Sequence, residues 1–163
     1  SIRPILDFIN RYWPLLLQEY PVAQLIIAGR NPTPILMETC KEQKNITIIP
    51  NPENMEEVIV KADYYISPIN MGSGQKLRIM DGLKQGLPVL CHEVSSYGYE
   101  EVAENNCLFA YHDEDSFMIA LRKMLSTDIN PNTVYQTFQK VFSLETGTQC
   151  LQDILHKEGI AFS

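Results

Sequence analysis

"YYISPINMGSGQKLRIMDGLKQGLPVLC", residues 64–91, decides the fold. An aromatic and aliphatic run closes on Pro68, a loop carries Gly72, Ser73 and Gly74, and a helix candidate at about 74–85 ends near Gly86-Leu87-Pro88. A second apolar run, "PVLC" (88–91), follows at once. This is strand, loop, helix, turn, strand, bounded by the Gly, Pro and Asn residues that punctuate short buried strands. Outward from it, "QLIIAG" (24–29), "ITIIP" (46–50) and "CLFA" (107–110) read as further strands. Helices are predicted at about 2–19, 33–43, 53–62 and 98–104, and then in succession at 114–125, 132–142 and 145–157. Alternation at this spacing requires right-handed crossovers and a parallel sheet with helices on both faces. The expected class is α/β, Rossmann-like.

The opening stretch, "SIRPILDFINRYWPLLLQEYP", reads as a helix with Pro4 in the first turn, where proline is tolerated. A doubly wound domain opens on a strand, so a further strand is expected upstream of this helix. The expected organisation is one domain over 1–163, with C-terminal helices at about 132–157 packed on the sheet edge or against a further domain.

The chain has 163 residues, is 45% hydrophobic and 20% charged, and so can bury a real core. Its net charge of −7 opposes non-specific binding to nucleic acid or an anionic membrane, so an anionic ligand would have to be held by a local positive site. Cys40, Cys91, Cys107 and Cys150 stand far apart and form no CxxC pair; they read as reduced and mostly buried. His92, His112 and His156 show no i, i+4 spacing suited to a metal, and no metal or cofactor is expected. No apolar stretch approaches a membrane span and no signal-like segment opens the chain, which points to a cytosolic, reducing setting.

Ligands of open parallel sheets settle outside the carboxyl ends of the strands. The 70–74 loop occupies such an end and leads into a helix whose free N–H groups and dipole favour an anion, while its glycines let the backbone approach phosphate oxygens. Lys76 and Arg78 follow in the first turn. Asp81, one turn on, is placed to accept hydrogen bonds from sugar hydroxyls. The loop lacks the GxxxxGK[ST] and GxGxxG spacings, so an ordinary tight loop with an i, i+3 pair between Arg78 and Asp81 remains open on these residues alone. "DED" at 113–115 reads as a helix cap, not a metal motif. His92 at a strand end and the loop at 97–101 are further candidates for facing a ligand.

"LIIAGRNP" (25–32) and "NITIIPNPENMEEVIVKADYYISPINMGSGQKLRIMDGLKQGLPVL" (45–90) together resemble the C-terminal, donor-binding domain of GT-B glycosyltransferases of the retaining, sucrose-synthase-like type. The resemblance runs in order from about residue 10 to 125, and "VFSLETGTQCLQDILHK" is similar to that family's final helix. It implies that Gly72, Ser73 and Gly74 hold the donor diphosphate through backbone N–H groups, that Lys76 and Arg78 are its basic contacts, and that Asp81 holds the nucleotide ribose. It further implies Gly29 and Arg30 beside the diphosphate, and Pro50 and Asn51 where the base stacks. Ser73 replaces the first acid of the family's Glu-x7-Glu motif, and Asp81 is one methylene shorter than the second.

The function so implied is the donor half of a glycosyltransferase acting on a nucleoside-diphosphate sugar without a metal. The acceptor-binding domain would lie outside this chain, which alone would be inactive, and any membrane contact would come through that domain. Two alternatives stay open: a non-catalytic nucleotide-sugar-binding module and a sugar-nucleotide epimerase-like domain.

Overall fold

A computed structural model describes residues 3–68, 75–93 and 107–144, the stretches 75–78 and 140–144 through their backbone. The expected glycine loop at 70–74, the loop at 97–101, the helices at 98–104 and 145–157, and Cys150 lie outside the described residues.

The expected strands are present and all pair in parallel: β1 (Leu25–Gly29), β2 (Ile46–Pro50), β3 (Tyr65–Ser67), β4 (Val89–His92) and β5 (Leu108–Tyr111). They form two sheets, β1-β2 and β3-β4-β5. Helices α3 (Pro34–Glu42), α4 (Met55–Ile59) and α5 (Gln75–Lys84) follow the first three strands. Helices α6 (Glu114–Ser126) and α7 (Pro131–Leu144) follow β5.

The opening helix is broken into α1 (Arg3–Asp7), a π-helical turn (Phe8–Tyr12) and α2 (Trp13–Glu19). Pro14 explains the break: it has no N–H for the carbonyl four residues back, and the Trp13 N–H instead reaches the Phe8 carbonyl in a wider turn. The aromatic face survives. Phe8, Tyr12, Tyr111 and Phe117 form a contiguous ring cluster with centroids 5.0 to 6.0 Å apart. The Trp13 indole N–H donates to the Lys44 carbonyl at 2.9 Å, tying α2 to the turn before β2.

Two apolar layers sandwich the strands. On one face the π-helical turn, α2, α3 and α6 bury Phe8, Trp13, Leu36 and Phe117 against Leu25, Ile27, Ile66, Leu90 and Phe109. On the other, Ile59 of α4, Ile79, Met80 and Leu83 of α5 and Val134 of α7 cover Tyr65, Val89 and Leu108. Helices on both faces make this a Rossmann-like α/β domain. Cys40, Cys91 and Cys107 are buried free thiols; burial pushes Cys40 up to about 11 and Cys91 to about 12.

Asp113 caps α6 as expected. Its carboxylate accepts from the Ser116 N–H at 2.8 Å, and the Ser116 hydroxyl accepts from the Asp113 N–H at 3.0 Å, closing a capping box. Among the described residues no helix is long and apolar enough to cross a membrane.

Candidate functional site

β1 and β2 pair in one parallel sheet, and β3, β4 and β5 pair in another. In open parallel sheets ligands settle outside the carboxyl ends of the strands. Of the residues singled out in the sequence, Gly29, Pro50 and His92 each close a strand at that end.

Gly29 closes β1 and Arg30 stands exposed just beyond it. Pro50 closes β2, with Asn51 exposed beyond it. These two ends are fastened together: the Asn51 N–H donates to the Gly29 carbonyl at 2.8 Å, and the Asn31 N–H donates to the Asn51 side-chain oxygen at 2.9 Å. Asn31 and Asn51 both adopt left-handed backbone, with φ of 48° and 50°. Asparagine tolerates that region because its short polar side chain bonds to nearby backbone, as it does here. Among the described residues Arg30 makes no ion pair, which leaves its charge directed at solvent along the edge.

Lys76 and Arg78 lie in the first turn of α5. Gly72, Ser73 and Gly74, the expected diphosphate cradle, lie outside the described residues. The position of α5 itself is set by Gly82: a Cβ there would stand 2.7 Å from Tyr65 Cβ and 2.9 Å from Val89 Cγ2. Only glycine lets the helix lie this close on β3 and β4, which aims its start at the carboxyl end of β3.

Asp81, expected to accept hydrogen bonds from sugar hydroxyls, is only 7% exposed. The reason is tertiary: α5 packs against β3, β4, α4 and α7 at once, so Ile79, Met80 and Leu83 bury one arc and Asp81 is enclosed between the neighbours. A buried carboxylate is costly unless it is held by partners, so Asp81 contributes to the fold as well as to any ligand contact.

The structure adds residues that the sequence reading missed. A small polar cavity of about 100 Å³ opens at the ends of β3, β4 and β5, lined by Pro68, His92, Tyr111 and His112 together with Asp7 and Arg11 from the opening helical segment. Arg11 donates to Asp7 at 2.9 Å and also pairs with Glu114, linking that segment to α6. His92 lies half-buried with its ring edge-on to Tyr111, centroids 5.6 Å apart, and burial holds its imidazole below the usual range. Pro68 and His92 were legible as strand-end residues. Arg11 was not, because nothing local says that its helix crosses this edge. Ser67, the last residue of β3, is 1% exposed, and its hydroxyl meets no hydrogen-bonding partner among the described residues. Among the described residues no group of three His, Cys, Asp or Glu is arranged to hold a metal.

The sequence matches the family described as glycosyl transferases group 1 over residues 4–127. This chain belongs to that family. The matched span contains all five strands and every candidate residue above. A search of curated proteins finds no match.

Proposed function

We propose that this chain is the donor-binding half of a retaining, metal-independent glycosyltransferase that moves a hexosyl group from a nucleoside-diphosphate sugar to an acceptor. One observation carries the reading: the carboxyl ends of β1 and β2 are fastened side by side through Asn51, so that Gly29, Arg30, Pro50 and Asn51 share one edge. Family membership supplies sugar transfer as the chemistry.

In this reading the base stacks on backbone at Pro50 and Asn51, and the diphosphate lies over Gly72, Ser73 and Gly74, with Arg30, Lys76 and Arg78 around it. Gly29 leaves room for the backbone beside it, and Asp81 accepts from the ribose hydroxyls. Breaking the anomeric C–O bond leaves the electron pair on the diphosphate oxygen. Fixed N–H groups and the two basic side chains stabilise that charge as it develops, which is the usual largest electrostatic contribution to such a step. The acceptor and the groups that activate it belong to a further domain, so this chain alone binds nucleotide and transfers nothing.

Calorimetric titration with nucleoside diphosphates tests the reading. Lys76→Ala should weaken diphosphate binding roughly 10- to 150-fold, the range of a lost charge-assisted hydrogen bond, with little effect on the nucleoside. The loss should shrink as salt rises. Asp81→Asn should weaken ribonucleotides more than their deoxy analogues, and because Asp81 is buried its melting temperature must be measured beside the affinity. A folded Lys76→Ala chain that binds diphosphate as tightly as the parent would refute the assignment.

A further inference from the structure

We infer that Ser67 is a further binding residue for the donor: its buried hydroxyl donates to a phosphate oxygen held at the start of α5. In the donor-binding reading, on which this rests, backbone N–H groups together with Lys76 and Arg78 draw the diphosphate to that end of the helix. Ser67 belongs to neither set. It closes β3 and is 1% exposed, and among the described residues its hydroxyl oxygen meets no hydrogen-bonding partner. A hydroxyl withdrawn from water without a partner is a net cost to the fold, and such groups are rare in native proteins. Its neighbours do not relieve it. The Cys91 thiol, level with it on β4, forms no hydrogen bond with it, and Pro68, next in the chain, has no N–H to offer.

The register fixes where the hydroxyl points. Side chains alternate along a strand, so Ser67 lies on the face of Tyr65, which packs with Ile79, Met80 and Leu83 of α5, while Ile66 between them packs on the opposite face with Phe8 and Trp13. Cys91, paired in register with Ser67, belongs to the α5 face as well. Ser67 therefore looks at α5. Its height along the helix follows from Gly82, where a Cβ would stand 2.7 Å from the Tyr65 Cβ. Ser67 is two residues nearer the carboxyl edge, roughly 6–7 Å along the strand. The helix returns toward that edge at about 1.5 Å per residue, so the same distance leads back four residues to Arg78. The hydroxyl thus lies against the first turn, formed by Gln75 to Arg78.

What gathers there is short of an acceptor. The first four N–H groups of a helix meet no carbonyl of their own helix, and the aligned peptides give that end a partial positive charge. The first turn of α5 holds no acidic residue, and Lys76 and Arg78 add two cations. Ser67 brings one more O–H. Donors that converge without an acceptor are complementary to an oxyanion, and a phosphate oxygen bonded at the helix start takes the hydroxyl as an additional donor. Because water barely reaches the hydroxyl, the first turn must give way slightly to seat that oxygen. Ser67 is then unpaired without the diphosphate and paired with it.

Calorimetric titration of the 163-residue chain with uridine and guanosine diphosphates, with inorganic pyrophosphate and with the two nucleosides tests this, beside thermal melts without ligand. Ser67→Ala removes the hydroxyl and keeps the small size that lets α5 lie close. It should weaken the diphosphates and pyrophosphate about tenfold or more, as the loss of one hydrogen bond to a charged group does, and leave the nucleosides as they were. Without ligand its melting temperature should equal or exceed the parent's, because the hydroxyl removed had no partner. The inference fails if the folded variant binds the diphosphates as tightly as the parent, or if the nucleosides weaken equally. It fails too if the unliganded variant melts lower, since Ser67 would then be serving the fold. A parent chain that binds none of these diphosphates would refute the donor-binding reading itself, and this inference with it.

Discussion

The β3–β5 half of the domain and the β1–β2 half are built from the same kind of unit but differ in enclosure. Leu90 and Val89 at the centre of the first are wholly buried, whereas every residue of β2 retains some exposure. The first half has α5 and α7 on one face and α6 on the other, while the second relies on α3 and a share of α2 and α4. The difference teaches where stability resides: the enclosed half seats α5 through buried contacts, and in the proposed reading the open half is the one that presents Gly29, Arg30 and Asn51 to the donor.

Matched truncations put that contrast at risk. Leu90→Ala should cost about 2–5 kcal/mol, as a fully buried aliphatic side chain does, and Ile48→Ala only about 1–2 kcal/mol because water already reaches it. Equal losses in chemical denaturation would erase the distinction. Next in size, Gly82→Ala should destabilise by about 1–3 kcal/mol, since the new methyl meets Tyr65 and Val89 rather than open space. It should also weaken nucleotide binding, because pushing α5 off the sheet shifts Lys76 and Arg78; a destabilised variant with unchanged affinity would separate helix seating from the site.

Smaller effects sharpen the contrast. Thr33 caps α3 by accepting from the Leu36 N–H at 3.3 Å, and Thr33→Ala should cost about 1 kcal/mol in thermal melts. That loss should be confined to exchange rates in the β1–β2 half. The smallest effect concerns pH. Burial lowers the His92 pKa relative to the unfolded chain, so the unfolded state binds the proton more readily. The contribution is present above the unfolded histidine pKa and is lost as pH falls through it toward the folded value. Stability should therefore drop on acidification in that window, and His92→Gln should flatten the slope there; a variant with the parent's slope would remove His92 from the account.

Much of this molecule was legible from local chemistry. Strand and helix order, the parallel sense of the sheet and the Asp113 cap follow from apolar runs punctuated by Gly, Pro and Asn, because those features act within one turn or one strand. The Pro14 break is equally local, because a proline inside a helix removes a hydrogen bond wherever the helix packs. The strand-end residues Gly29, Arg30, Pro50 and Asn51 were marked by the family resemblance, and the parallel pairing of β1 with β2 brings both ends to one edge. Other properties belong to the packed chain alone. Asp81 is buried because four elements converge on α5, and Arg11 reaches the His92 cavity because a helix crosses the sheet. Each depends on which elements meet across long separations in sequence, and spacing along a chain carries no record of that.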